Sequence, residues 1–345
     1  MSTYRRTKGA SWKLVALGII GILLGLSQPA LWAAEKQTEV RLASDVWPPF
    51  TNVFGQPRFA MELVHEALAR AGVIAETSVV DWNDVISGIQ DSKFDGSAAM
   101  WRNSERESYL RFSQPYLENR LVLVGRKGSD VDATTLEELS GKRIAVVERY
   151  AYGEAVDSAG GIELEEGSSD QENLEKLLRG EVDYMLVDQL LIRYLLEHQQ
   201  AEAVEHLEIG TTPLVQRGLH FAIRRDFPGA EAIVEKFDAQ IRNMLSDGTY
   251  NEILQLNWIQ ADIDGDGQME LIAKGDMLGI EPPLMGYRIV VPTEAGAPIQ
   301  VSKRFYVGGR IYEDWDTIPA RYRVSAESNN ADIPSTPIVL FRFKF

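Results

Sequence analysis

The sequence predicts an α/β protein of two lobes followed by a β-rich C-terminal extension, and three observations predict it. From Glu39 onward short apolar strands alternate with amphipathic helices, the pattern of a mainly parallel sheet wrapped by helices. The alternation runs in two blocks and returns to the first. After Trp258 it gives way to an Asp/Gly loop and strands of period two. The predicted division is a signal peptide over 1–33, a first lobe over 34–124 plus 212–258, a second lobe over 125–211 and a C-terminal module over 259–345.

The first segment carries Arg5, Arg6, Lys8 and Lys13, then the apolar run Leu14 to Leu26, then the small residues Ala30, Ala33 and Ala34. That order describes a secretory signal cut near Ala33 or Ala34. The run is shorter than the ~20 residues a membrane span needs. Strands are expected at Glu39–Ser44, Thr77–Val80, Phe94–Met100, Leu121–Gly125, Arg143–Val147, Val182–Val187 and His220–Arg224. Met61, Val64, Leu68 and Ala71 before Gly72 predict one helix, and Ile233, Phe237, Ile241 and Leu245 before Gly248 predict another. Ser169 and Glu172 have the spacing of a capping box, with Gly180 as the stop. In the module, strands are expected at Tyr287–Val291, Lys303–Val307, Arg310–Trp315 and Ile338–Phe345, with a hairpin turn at Gly308-Gly309. The alternating Phe341, Phe343 and Phe345 also resemble a final outer-membrane barrel strand, but one strand makes no barrel.

Charge and cysteine content narrow the function. With 51 acidic and 35 basic residues the formal net charge is -16, so nucleic acid is an unsuitable partner. The absence of cysteine excludes disulfides, thiolate metal sites, cysteine catalysis and a lipid-modified N-terminal cysteine. The histidines His65, His198, His206 and His220 have no ligand spacing. No phosphate-cradling glycine loop, GxSxG elbow or HExxH is present.

A small zwitterion entering a cleft needs a fixed cation for its carboxylate and a fixed anion for its ammonium. Arg106 is placed to grip a carboxylate with its guanidinium fork. Asp188, ending a predicted strand, sits where open α/β sheets bind ligands, and it can equally cap the following helix. Five segments in this order are similar to family 3 extracellular solute-binding proteins: SDVWPPF (44–50), DWNDVISGIQDSKFDG (81–96), NSERESYLRFSQPY (103–116), LRGEVDYMLVD (178–188) and LSDGTYNEILQLNW (245–258). The resemblance covers residues 39 to 258. It implies a type II periplasmic binding fold, a small-molecule ligand such as an amino acid or carboxylate, and an ABC permease or membrane receptor as partner. It also implies that Trp47 and Trp82 stack on the ligand. Tyr150 and Tyr152, in a segment expected to open a helix toward an anion, are further candidates.

The sequence departs from the family where Arg149, Tyr150 and Ala151 replace a Gly and small hydroxyl residues, where Asn103 replaces a Thr, and where Arg102 intrudes in a shortened stretch. An extra cation, Arg102 or Arg149, suits a dicarboxylate or larger anionic ligand. Two other readings stay open: a periplasmic sensor or adhesive receptor, and a dehydratase-type enzyme using Glu148 or Glu154 as acid.

The second chemical motif is DIDGDGQME. Asp262, Asp264, Asp266, Gln268 and Glu270 alternate around Gly267 as in the start of an EF-hand loop, which predicts a structural calcium. The closing Glu is absent because Ala273 stands there, which leaves Asp276, Glu281 or water to complete the shell.

Overall fold

The computed structural model describes residues 38–198, 201–254, 258–264, 266–273, 287–288 and 303–323. The expected signal peptide, the strand at 338–345 and the candidate calcium ligands Asp276 and Glu281 lie outside them. Among the described residues no helix is long and apolar enough to cross a membrane.

The first lobe opens with β1 (Thr38–Ser44), α1 (Phe59–Arg70), β2 (Val73–Val79), α2 (Trp82–Gln90), β3 (Gly96–Trp101), α3 (Ser104–Glu107) and β4 (Leu110–Phe112). The chain continues through β5 (Leu117–Arg126) into β6 (Arg143–Val147), α4 (Glu154–Asp157), β7 (Glu163–Gly167), α5 (Asp170–Leu178), β8 (Tyr184–Asp188), α6 (Gln189–His198) and β9 (Leu207–Ile209). It returns through β10 (Val215–Arg224) to α7 (Ala230–Asp247) and α8 (Thr249–Leu254). The strand order is β2-β1-β3-β10-β5-β8-β6-β7. β1 pairs in parallel with β2 and β3, and β6 with β7 and β8. The antiparallel pair β5 and β10 stands between these two parallel groups, so the mixed α/β sheet is two-lobed.

The crossing is sharp. β5 pairs with β10 from Leu117 to Leu121 and with β8 from Leu121 to Gly125, so the change of partner falls at Leu121. The expected boundary at residues 124 and 125 lies inside the same strand. In the first lobe α1 buries Met61, Leu63, Val64 and Leu68 and packs on α7, which contributes Phe237, Ile241 and Met244. That stripe follows the three- and four-residue spacing read from the sequence.

Local chemistry explains most ends. Ser169 Oγ accepts from Glu172 N at 3.2 Å, while Glu172 reaches back to Ser168 N at 2.8 Å rather than to the cap residue itself. Gly308 and Gly309 have φ of 57° and 81° and join β14 (Arg304–Val307) to β15 (Arg310–Tyr312) in a primed turn. β15 ends earlier than expected because Asp314 accepts from Thr317 N at 2.9 Å and starts a 3-10 turn. The acidic edge strand β7 and the short β4 and β9 carry no sequence signal of their own. The helix expected near Tyr150 is only α4, four residues beginning after Gly153, and residues 148–152 form a turn in which Arg149 has φ of 60°.

β11 (Trp258–Ala261), β12 (Glu270–Ala273) and β13 (Tyr287–Arg288) join β14 and β15 in a separate small sheet ordered β13-β11-β12-β14-β15. Trp258, Leu271, Phe305, Val307 and Ile318 form its own apolar cluster. Ile259, Ala261 and Ile272 belong instead to the main core, so the small sheet packs on the lobes.

One position tests the junction of β3 and β10. A Cβ at Gly96 would stand 2.0 Å from the carbonyl oxygen of Ala222. Gly96→Ala is therefore expected to cost about 1–3 kcal/mol in urea unfolding, the scale of overpacking in a tight interior.

Candidate functional site

The carboxyl ends of β1, β3 and β6 bring together Asp45, Trp101 and the 148–152 turn, with Trp47, Trp82 and Arg106 from the segments that follow. Ligands of open α/β sheets bind at such ends. Trp47, Trp82, Trp101 and Arg106 are buried, while Asp45 and Tyr150 are half-buried.

Arg106 is 4% exposed. Asn103 caps α3 by accepting from Arg106 N at 2.9 Å, which aims the side chain inward. Nη1 donates to the Trp101 carbonyl at 2.6 Å and Nη2 to the Arg149 carbonyl at 2.8 Å. Its guanidinium carbon stands 5.1 Å from the centroid of the Trp82 ring. Burial draws its pKa down to about 10, so it remains a cation at neutral pH. Among the described residues no carboxylate lies within ion-pairing distance of it.

Tyr150 lies against three tryptophans, with centroids 5.3 Å from Trp82, 5.4 Å from Trp101 and 6.2 Å from Trp47. Its hydroxyl donates to Asp45 Oδ2 at 2.9 Å. Burial pushes Asp45 up to about 6, against the pull of that hydrogen bond. The inner cavity among these groups has a volume of only about 20 Å³, room for little more than one water molecule. An outer cavity of about 270 Å³ adjoins it, lined by Asn103, Glu105 and Arg106 from the first lobe and Arg149, Tyr152, Asp157 and Glu166 from the second. Tyr152 is buried, and its hydroxyl accepts from Val147 N at 2.9 Å.

The structure thus gathers Trp47, Trp82, Arg106, Tyr150 and Tyr152 around one cleft. Arg102 is elsewhere: exposed, it donates to Glu107 at 2.6 Å and lines neither cavity. Asp188 also lines neither cavity. Its Oδ1 accepts from Leu190 N at 2.7 Å and Leu191 N at 3.3 Å as the cap of α6, and its Oδ2 accepts from Asn119 Nδ2 and Arg120 N, both at 3.1 Å. The Asn119 and Arg120 donors tie β8 to β5 at the crossing. Asp45 and Trp101 were not anticipated as site residues. Asp45 had a signal, since it is the first polar residue past the end of a parallel strand inside the SDVWPPF segment.

The Asp/Gly loop is the connection of the β11–β12 hairpin, so no helix flanks it. Oxygens of Asp262, Asp264 and Glu270 approach within 4.8 Å of one another. Asp266 and Gln268 turn to each other, and Asp266 also meets Arg304. Gln268 Nε2 donates to Asp266 Oδ2 at 3.3 Å, and Arg304 Nη1 donates to the same oxygen at 2.7 Å. Arg304 also stands 3.0 Å from Glu270 and 3.5 Å from Asp264, so a guanidinium from β14 already neutralises part of the loop.

Asp170, at the start of α5, is a second buried carboxyl near the cleft. Burial, and then the nearby Asp45 and Asp188, push it up to about 8. A carboxyl that holds its proton in the folded state and loses it near pH 4 when unfolded stabilises fully at low pH, and that contribution is lost as pH rises through its folded pKa. Buried His220, pushed down to about 4, has the opposite sign and finishes its gain by about pH 6.5. Asp188, pushed up to about 7 by burial, loses stability in the same direction, so unfolding free energy is expected to fall by about 2–3 kcal/mol between pH 6.5 and 8. Urea titrations at each pH check this, and Asp170→Asn is expected to flatten the slope.

The profile of the bacterial extracellular solute-binding proteins, family 3, matches residues 40–261. The L-cystine-binding protein TcyA of Bacillus subtilis (strain 168) is 23% identical over 240 residues, covering 68% of this chain and 86% of that protein. A segment of the virulence sensor protein BvgS of Bordetella pertussis is 31% identical over 142 residues, covering 38% of this chain and 11% of the sensor. The solved structure of an ancestral arginine-binding protein bound to arginine superposes with a TM-score of 0.54 at 24% identity, over 63% of this chain and 96% of that one, a likeness of fold. With a match across most of its length and lobes of that architecture, the chain belongs to the family 3 bacterial extracellular solute-binding proteins.

Proposed function

We propose that this protein is a periplasmic binding protein that captures an amino acid, or a related small polar or anionic solute, between its lobes and delivers it to an ABC-type importer. One observation carries the reading: Arg106 is a buried cation that has carbonyl partners but no carboxylate among the described residues, and it borders both cavities. A buried charge without its opposite is expensive, and a solute carboxylate supplies the missing one. The outer cavity also presents Asp157 and Glu166, acidic side chains suited to an ammonium group. The relatives named for cystine and arginine favour the same class of solute. Export through the N-terminal segment and a periplasmic location follow from this reading.

A sensory receptor is the second reading, favoured by the match to the virulence sensor. In that case the small C-terminal sheet joins the cleft to a membrane partner, and charge reversal at its exposed Lys303 and Arg310 preserves solute binding while abolishing the partner's response.

Calcium is proposed for the Asp262, Asp264 and Glu270 oxygens, in competition with Arg304. Calcium is expected to raise the melting temperature where magnesium does not, and Arg304→Gln is expected to enlarge the calcium effect by removing the competing cation. An equal, flat response of both chains removes calcium from the account.

For the cleft, calorimetric titration of the chain with the common amino acids and small dicarboxylates is expected to find one binding class. A hundredfold excess over Kd then stabilises the fold by about 2.7 kcal/mol. Arg106→Ala is expected to weaken binding at least tenfold, since charged hydrogen bonds are worth about 1.5–3 kcal/mol each. No binding across the panel, or undiminished binding in Arg106→Ala, defeats the proposal.

A further inference from the structure

Two consecutive residues of the second lobe supply the groups that a solute would otherwise bring to the first lobe. The Arg149 carbonyl accepts from Arg106 Nη2 at 2.8 Å and from Trp82 Nε1 at 3.4 Å. The next side chain, Tyr150, puts its ring edge-on among Trp47, Trp82 and Trp101 and its hydroxyl on Asp45. An acceptor on the guanidinium, a flat ring in the aromatic box and a donor on the carboxylate are thereby all in place. The inner cavity is left with about 20 Å³. Arg149 also ties the lobes through its own side chain, with Nη1 donating to Asn83 Oδ1 at 3.0 Å.

The turn is held at a cost. Arg149 has φ of 60°, a left-handed conformation that glycine adopts freely and a side chain with a Cβ disfavours. Such strain persists only where surrounding contacts over-determine it. Beside the bond from Tyr150 N to the Val147 carbonyl and the Tyr152 ring on its own side, the side-chain contacts of Arg149 and Tyr150 with Asn83, Asp45 and the three tryptophans lie across the cleft.

We propose that the Arg149–Tyr150 turn is a built-in plug that closes the cleft without solute, and that Tyr150 sets specificity by admitting only solutes able to evict it or to sit in the outer cavity beside it. The proposal rests on the cleft being the solute site. The plug binds only the closed arrangement, so it shifts the equilibrium toward closure as a solute would. Solute affinity for the inner site is reduced by the fraction of molecules that remain plugged.

The chain has no cysteine, so two introduced ones are unique labelling sites. Spin labels at Asp91→Cys in the first lobe and Glu163→Cys in the second report lobe separation by pulsed electron resonance on the full chain, stripped of solute by urea and dialysis. A single narrow, short distance is expected without any added solute. Tyr150→Ala is expected to broaden it toward longer distances. Millimolar 4-methylphenol, which replaces the lost side chain, is expected to restore the short distance in Tyr150→Ala and to leave the unsubstituted chain unchanged, much as an engineered apolar cavity takes up a small aromatic. Tyr150→Phe, which keeps the ring and loses only the bond to Asp45, covers the case in which the alanine variant fails to fold: it is expected to populate the longer distances partially. A long, broad distribution in the solute-free unsubstituted chain overturns the plug. So do unchanged distances in Tyr150→Ala or, if that variant does not fold, in Tyr150→Phe. A closed chain that binds no amino acid defeats the proposed solute class alone, whereas an open chain that binds one defeats the plug alone.

Discussion

Desolvating a guanidinium costs several kcal/mol unless its donors and its charge are met, and around Arg106 that cost organises the cleft. Its donors are met by carbonyls of Trp101 and Arg149, one from each lobe, and its flat face by the ring of Trp82. Three otherwise independent pieces of chain, the end of β3, the start of α2 and the turn after β6, therefore have a common partner. Hydrogen bonds answer its donors but leave its positive charge without an anion among the described residues, so the same residue that holds the lobes together favours an acidic guest.

The lobes are linked by backbone rather than by a loop. β5 and β10 pair with each other and with the sheets on either side, and Leu121 is the residue at which β5 changes partners. Asp188 secures that point from β8 with four N–H donors, two of them from the β5 segment Asn119–Arg120. A carboxylate so fully engaged positions the crossing strands; it has little capacity left for a ligand ammonium. The acidic groups facing the outer cavity, Asp157 and Glu166, are exposed and free of that duty.

The C-terminal loop follows similar logic with an internal cation. The carboxylates of Asp264, Asp266 and Glu270 crowd together on a hairpin, and Arg304 from the neighbouring strand offsets their repulsion. The hairpin also shares core residues Ile259, Ala261 and Ile272 with the lobes, so the state of the loop bears on the main body as well as on the small sheet.

The elements were legible because their signals are local. Periodicity marks α1 and α7, a Ser and a Gly mark the ends of α5, paired glycines mark the β14–β15 turn, and the segments around Trp47, Trp82, Arg106 and Tyr150 indicate the family and hence the cleft. β7, with the sequence ELEEG, was not legible, because an exposed edge strand needs no apolar alternation. Nor was the division of labour among the charged groups. The sequence by itself determined the α/β alternation, the two-lobed family and most of the side chains that gather at the cleft, since each depends on spacing within one segment. Only the tertiary structure decided that Asp188 caps a helix, that Arg102 pairs with Glu107, that Arg304 enters the acidic loop and that Tyr150 fills the inner cavity, because each choice depends on which partner from a distant segment arrives within hydrogen-bonding or packing distance.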